Sequence, residues 1–279
     1  TEAAQYLTEH LHLAQRIGAR SAEAYGLIQL GSWQLCRGSY ATAVDLFQQA
    51  ISTQQGLRTE HGRVAAELGL GFAFYHLGDI MEARRCLRQA IQRARLIRHR
   101  RRLAEALIAL GLVELAAAQP ETAYGYLTEA VAVARESESR GNLAFGLAAL
   151  ARAERSSGDL MMALSHASEA VQISSEITVV ACEMWGELER GLVWLAQGYP
   201  ESALEHTRRA LELISQNDES WIGSEQVHRA HAHVLRALDC VEAADEHDRQ
   251  ADAIITAKAE RIPDAQQRQR YLEYAMRNP

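Results

Sequence analysis

The sequence predicts an all-α solenoid, a superhelix of stacked helix pairs, on three observations. Alanine recurs at Ala43, Ala83, Ala123, Ala163, Ala203 and Ala243, each 40 residues after the last. Twelve residues before these stand Gly31, Gly71, Gly111, Ala151 and Gly191, with His231 interrupting the series. Proline occurs only 4 times and aromatic residues make up 6% of a chain rich in alanine and leucine, a bias toward helix and away from sheet.

The elements follow from that period. Ala3, Leu7 and Leu11 stand one period before Ala43, Phe47 and Ile51, so residues 1–18 are expected to be the second helix of a repeat whose first helix lies upstream. Residues 19–258 then hold six helix pairs. In the first, residues 27–38 (LIQLGSWQLCRG) are the later half of helix A, and residues 40–51 (YATAVDLFQQAI) are most of helix B. A 40-residue unit implies helices of about 16–18 residues each. Ser39, Asp79, Asp159 and Asp239 share one turn position, where a short side-chain oxygen can accept a free helix amide. Pro120 and Pro200 share the next, where a missing N–H costs nothing. The small residues let helices approach closely, and larger apolar residues such as Phe47, Leu87 and Leu127 between them form the buried stripe. Residues 259–279 read as a C-terminal capping helix: Pro263 stops the preceding helix, and Asp264 caps one carrying Tyr271, Leu272 and Met276.

Glycine, alanine, a large apolar residue and alanine at successive offsets, as in Gly31, Ala43, Phe47 and Ala50, resemble the tetratricopeptide repeat (TPR). The bulky residue four before the glycine is present as Leu27 and Leu107 but replaced by Glu67 and Glu187 elsewhere, and the unit is longer than the family's usual one. The resemblance implies a right-handed superhelix with helix A on the inner wall. The tail Ile262, Asp264, Arg268 or Arg270, Tyr271 and Leu272 resembles the end of the C-terminal repeats in STAND-class (MalT-like) signal-transduction ATPases. That resemblance implies a sensor region that answers to an inducer or partner and controls an upstream nucleotide-binding domain of the same polypeptide. No GxxxxGK[ST] motif occurs in this chain, so no such ATPase site is expected within it.

Composition narrows the function. Net charge is −7, which argues against nucleic acid as a partner, although residues 93–102 (RARLIRHRRR) form a local basic run that could hold phosphate or dock an acidic surface, or simply be a solvated helix end. No stretch is long and apolar enough to span a membrane. Cys36, Cys86, Cys182 and Cys240 are widely separated, so they read as free thiols in a reducing, cytoplasmic compartment rather than as disulfides or zinc ligands. GxSxG and HExxH are absent, and no catalytic set is expected. His228 and His231 share a helix face with Glu225 nearby, but surface histidines are the plainer reading and no metal or other cofactor is expected. Glu114 and Glu154 are expected to pair with arginines. Trp33, Trp194 and Trp221 read as packing residues.

With helix A inside, the wall positions bring together Phe72, Tyr75, His76, Phe145, Arg152, Arg155 and Trp185, flanked by Ile28, Leu35, Leu68, Ile108, Leu112, Leu188 and Leu192 and, in the sixth repeat, by Glu225, His228, Ala232, Leu235 and Arg236. Arg152 and Arg155 are three residues apart and can share one anion, with aromatic area beside them. The expected function is binding: a peptide, a protein partner or an anionic inducer in the concave groove of a STAND-type sensor. The alternatives are a general scaffold without a switch, and a superhelix whose apolar wall residues simply pack on one another.

Overall fold

The computed structural model describes residues 2–56, 60–215 and 222–277; the expectation for Trp221 lies outside them. The described residues form fourteen α-helices, without strands. A first single helix, α1 (Glu2–Arg16), precedes six pairs. These are α2 (Arg20–Cys36) with α3 (Tyr40–Thr53), α4 (Glu60–His76) with α5 (Ile80–Leu96), and α6 (Arg100–Ala116) with α7 (Pro120–Glu136). Then come α8 (Arg140–Ser157) with α9 (Leu160–Ile177), α10 (Val180–Ala196) with α11 (Pro200–Ser215), and α12 (Ser224–Ala237) with α13 (Val241–Glu260). The last helix is α14 (Ala265–Arg277). Each helix packs on its chain neighbours, and the first helices of the pairs, α2, α4, α6, α8, α10 and α12, also pack on one another in succession, as the inner layer of a solenoid does.

The turns repeat twice per unit. Gly18, Gly38, Gly78, Gly158 and Gly198 take positive φ, and so do Arg98, Ala118, Glu138 and Thr178 at the intervening positions of the same 20-residue series. Around Gly78 the amide of Asp79 donates to Phe74 O at 2.9 Å and that of Gly78 to Tyr75 O at 3.0 Å, a Schellman closure of helix A. The left-handed conformation strains a residue with a Cβ. Ala118→Gly, with φ of 55° at that position, is therefore expected to stabilise the fold by about 0.5–1 kcal/mol. Scanning calorimetry checks this, and a lowered Tm contradicts it. Of the expected caps, Asp79 and Asp159 accept from Glu82 N and Met162 N, whereas Ser39 makes no side-chain cap bond. His99 fills the same slot for Arg102 N, through ring Nδ1.

The helix crossings need their glycines. A Cβ on Gly71 would stand 2.6 Å from Leu87 Cγ, one on Gly111 2.5 Å from Leu127 Cγ, and one on Gly31 3.0 Å from the Phe47 ring. The glycine of helix A is thus the floor on which the large residue of helix B rests. Phe47, Leu87 and Leu127 are fully buried, as are Ala43, Ala83, Ala123, Ala163 and Ala203.

The last pair departs from the sequence expectation. Ala243 is exposed, while Ala232, Ala244 and Ala251 are buried at 0% and restore the small-residue spacing. Asp239 does not cap: it takes the positive-φ place with φ of 59°, and Cys240 stands at the N-cap of α13. One extra residue before α12 has shifted the register, which turns a helix face by about 100°. His231, which interrupts the series, is the off-register neighbour of Ala232, as Gln250 is of Ala251.

Buried carboxylates are matched by cations. Glu114 accepts two bonds from Arg84, at 2.9 and 2.6 Å, while Glu67 meets Arg93 at 2.9 Å and Arg63 at 3.2 Å. Glu154 pairs with His166 at 2.9 Å rather than with an arginine, because His166 of α9 faces it within the same pair. Much of the basic run is paired: Arg95 meets Glu129, Arg100 meets Glu136 and Arg102 meets Glu105, at a helix end that stays largely solvated. The same pairs recur one period on as Arg135–Glu169 and Arg140–Glu176, an ion-pair ladder from repeat to repeat.

The superhelix closes on itself. Asp264 accepts from Gln267 N at 2.7 Å to start α14, and Arg268 Nε donates to Ile262 O at 2.9 Å to lock the preceding turn. Arg270 pairs with Asp79, and Arg261 donates to Arg37 O, across 191 and 224 residues. Tyr271 lies against Tyr40 with centroids 5.9 Å apart, and Tyr274 against Tyr75 at 6.0 Å. Between them the buried Lys258 ammonium meets Glu225 Oε2 at 2.7 Å and lies 5.9 Å from the Tyr40 ring centroid. The resemblance-bearing tail thus clasps the last turn of helices to the first two.

Candidate ligand-binding groove

Two adjoining cavities open on the concave side. The first, of about 210 Å³, is walled by the A helices of successive repeats: Leu35 from α2, Phe72, Tyr75 and His76 from α4, Leu112 from α6, Phe145 and Arg152 from α8, and Trp185 from α10. Ile222 and Gln226 complete it from the far side of the closure. The second, of about 440 Å³, continues past Arg152, Trp185, Glu189 and Gln226, which both cavities share, to Arg155, Arg229, His233 and Arg236. Together they form a trough, apolar and aromatic at one end and rich in arginine at the other.

The seven residues expected on the wall all reach this trough: Phe72, Tyr75, His76, Phe145, Arg152 and Trp185 in the first cavity, Arg155 in the second. Their flanking neighbours divide. Ile28, Leu68 and Ile108 are buried between repeats, so packing claims them, whereas Leu35, Leu112, Leu188 and Leu192 line the cavities. In the sixth repeat the expected face is one residue off. Gln226, Arg229, Ala230 and His233 face the trough, as does Arg236, whereas Glu225, Ala232 and Leu235 are buried. The signal that could have found them was the run Ala232, Ala244 and Ala251, which already keeps the repeat offsets of 12 and 19.

Electrostatics refine the arginine end. Arg155 Nε donates to Glu189 Oε2 at 2.9 Å, so this guanidinium is matched by a carboxylate of the next repeat. Burial opposes the Arg152 charge, but Tyr75, Glu189 and Tyr274 around it outweigh that and hold its pKa above the ordinary arginine value. Arg236 is held by Asp245 and Asp248, and Arg229 by Asp252 at 2.7 Å. The trough therefore offers fixed, partly neutralised guanidiniums in place of an open cationic field, which suits a polar or singly charged group better than a polyanion. At the other end His76 stacks 5.0 Å from Tyr40, and burial, then Lys258, lower its pKa to about 3, so it meets a ligand as a neutral ring.

Residues 63–136, spanning α4 to α7, match the tetratricopeptide repeat family. That stretch carries tetratricopeptide repeats. No curated protein matches it. Among solved structures, the chain is similar to a Rap protein complexed with competence and sporulation factor, with TM-score 0.67, 16% identity and 92% of this chain against 73% of that one covered. It is also similar to the Rap conjugation gene regulator of plasmid pLS20 in complex with the Phr* peptide, with TM-score 0.70, 12% identity and 95% against 76% covered. The apo form of the quorum sensor NprR from B. thuringiensis gives TM-score 0.61 at 13% identity, with 90% against 82% covered. At these identities the likeness is one of fold.

Beside the trough, the chain packs three imidazoles between α12 and α13. His228 and His247 bring their Nδ1 atoms to 3.0 Å, and His231 lies edge-on to His247 at 4.7 Å while bonding Thr207 of α11. No His, Cys, Asp or Glu cluster among the described residues has metal-ligand geometry. Burial, with His247 next, lowers His228 and His231 from 6.5 to about 4; Arg208 adds to the effect at His231, and Glu225 opposes it at His228. Burial also lowers His247, against the nearby Glu246 and Asp248. Unfolded, these rings bind protons near pH 6.5; folded, His228 and His231 resist until about pH 4, so stability falls as pH drops through that window. By pH 5 the expected loss is on the order of 2 kcal/mol. His166 has the opposite sign, since its bond to Glu154 raises it and its contribution is lost on the alkaline side. Denaturation curves at pH 7 and pH 5 check this; an unchanged midpoint contradicts it, and His247→Leu is expected to flatten the slope.

Proposed function

We propose that this chain is a ligand-sensing TPR domain that holds a segment of a peptide or protein partner in the concave trough, an apolar side chain among Phe72, Phe145 and Trp185 and a polar or acidic group beside Arg152 and Arg155. The observation that carries the reading is that the first cavity is walled from both sides of the closure, by Leu35 and Phe72 on one and Ile222 and Gln226 on the other. An occupant there touches both ends of the superhelix, so its binding energy bears on whether the clasp stays shut. Two fold neighbours at low identity were solved with competence and sporulation factor or with Phr* peptide, which makes a peptide the first class of ligand to test. The tail Ile262, Asp264, Arg268, Tyr271 and Leu272 supports the narrower reading of a cytoplasmic STAND-type regulator whose upstream nucleotide-binding domain answers to this occupancy, because that tail builds the clasp.

Native mass spectrometry of the chain purified from its own host tests the proposal. The expected result is a peptide-sized adduct released by denaturant and lost in Trp185→Ala and Arg152→Glu. Unliganded protein from a host lysate, or an adduct that survives both substitutions, overturns it.

A further inference from the structure

Among the described residues seven buried side-chain polar atoms lack a hydrogen-bond partner, and the two on α12 belong to side chains that line the trough. Gln226 Oε1 is buried without a hydrogen-bond partner, and so is Arg229 Nε. Both side chains line the trough, Gln226 in both cavities and Arg229 in the second. Arg229 is held in place by its Nη2, which donates to Asp252 at 2.7 Å and to Met276 Sδ at 3.4 Å, leaving Nε as the uncommitted donor. A buried acceptor and a buried donor without partners cost free energy unless something supplies the complements.

We propose that Gln226 and Arg229 read one main-chain unit of an extended peptide, its amide N–H donating to Gln226 Oε1 and its carbonyl accepting from Arg229 Nε. This rests on the trough being the binding site and narrows the ligand to a peptide backbone. The two residues are three apart on α12, a rise of about 4.5 Å along the helix. In an extended chain the N–H and C=O of one residue point to the same edge and pair with one acceptor and one donor on the neighbouring strand. Gln226 and Arg229 present that acceptor and that donor from side chains. A free carboxylate or a fatty acid satisfies Arg229 alone, since it has no donor for Gln226. An apolar side chain on the same unit is within reach of Phe145 and Trp185, because Gln226 borders both cavities.

The test is a matched pair of probes, N-acetyl-L-phenylalanine methylamide and the same molecule methylated on the phenylalanine nitrogen, in which a methyl group replaces that one N–H donor. Ligand-observed NMR titration of the full chain gives both affinities. The wild-type protein is expected to favour the unmethylated probe by about five-fold, the worth of one net hydrogen bond. Gln226→Leu is expected to erase that preference, and Arg229→Lys, which keeps the charge opposite Asp252 but lacks Nε, to weaken both probes alike. Circular dichroism confirms that both variants fold. Equal binding of the two probes to wild-type protein, or a preference that survives Gln226→Leu, overturns the inference while leaving the trough as a binding site. Failure of both probes to bind at millimolar concentration overturns the trough reading with it.

Discussion

Lys258→Met is expected to lower the unfolding free energy by about 3–5 kcal/mol, the cost of leaving a buried charge without its partner. Lys258 is 1% exposed and its ammonium lies 2.7 Å from Glu225 Oε2. Its stem also fills the space over Gly38, where a Cβ would stand 2.9 Å from Lys258 Cε, so one side chain joins α12, α13 and the turn between α2 and α3. Methionine keeps most of that apolar stem and removes the charge, stranding the Glu225 carboxylate beside Tyr40 and Tyr271. Adding Glu225→Leu is expected to recover most of the loss, because a pair replaced by apolar groups no longer buries a lone ion. Guanidinium denaturation of the two variants checks this. A single-variant cost below about 1 kcal/mol would mean that solvent already reaches the pair and the clasp is weak.

Phe47→Ala is expected to cost about 3–5 kcal/mol, near the top of that range for a buried aromatic ring. The ring is 0% exposed and rests against two glycine backbones, Gly31 in its own pair and Gly69 in the next. Neither glycine has a side chain that can move into the space, so the cavity stays open and the lost contacts are not replaced. Phe47→Leu is the control: leucine occupies the equivalent place as Leu87 and Leu127, and is expected to recover more than half of the loss. Equal losses for alanine and leucine would show that the site collapses around whatever it holds.

The repeat was legible in the sequence because each small residue marks a close approach that chemistry allows only glycine or alanine to make. Gly31, Gly71 and Gly111 face Phe47, Leu87 and Leu127 because a Cβ there has no room. The trough residues were legible for the same reason, since fixing the buried face of helix A fixes the opposite face. The α12 side of the trough was hidden by one inserted residue, which put Gln226 and Arg229 where a strict 40-residue count places Glu225 and His228. The closure was hidden because its contacts, such as Arg270 with Asp79 and Tyr271 with Tyr40, join residues with no periodic relation. Pairing of Arg95 and Arg100 was likewise invisible until Glu129 and Glu136 of α7 were placed.

The proposed occupant of the concave trough is an apolar group and a peptide unit that bridge the closure of the superhelix. A crystal structure of the chain grown with N-acetyl-L-phenylalanine methylamide tests it most directly. The phenyl ring is expected between Phe145 and Trp185, with its amide on Gln226 and Arg229. A trough holding only water, with the probe elsewhere or absent at saturating concentration, would contradict it.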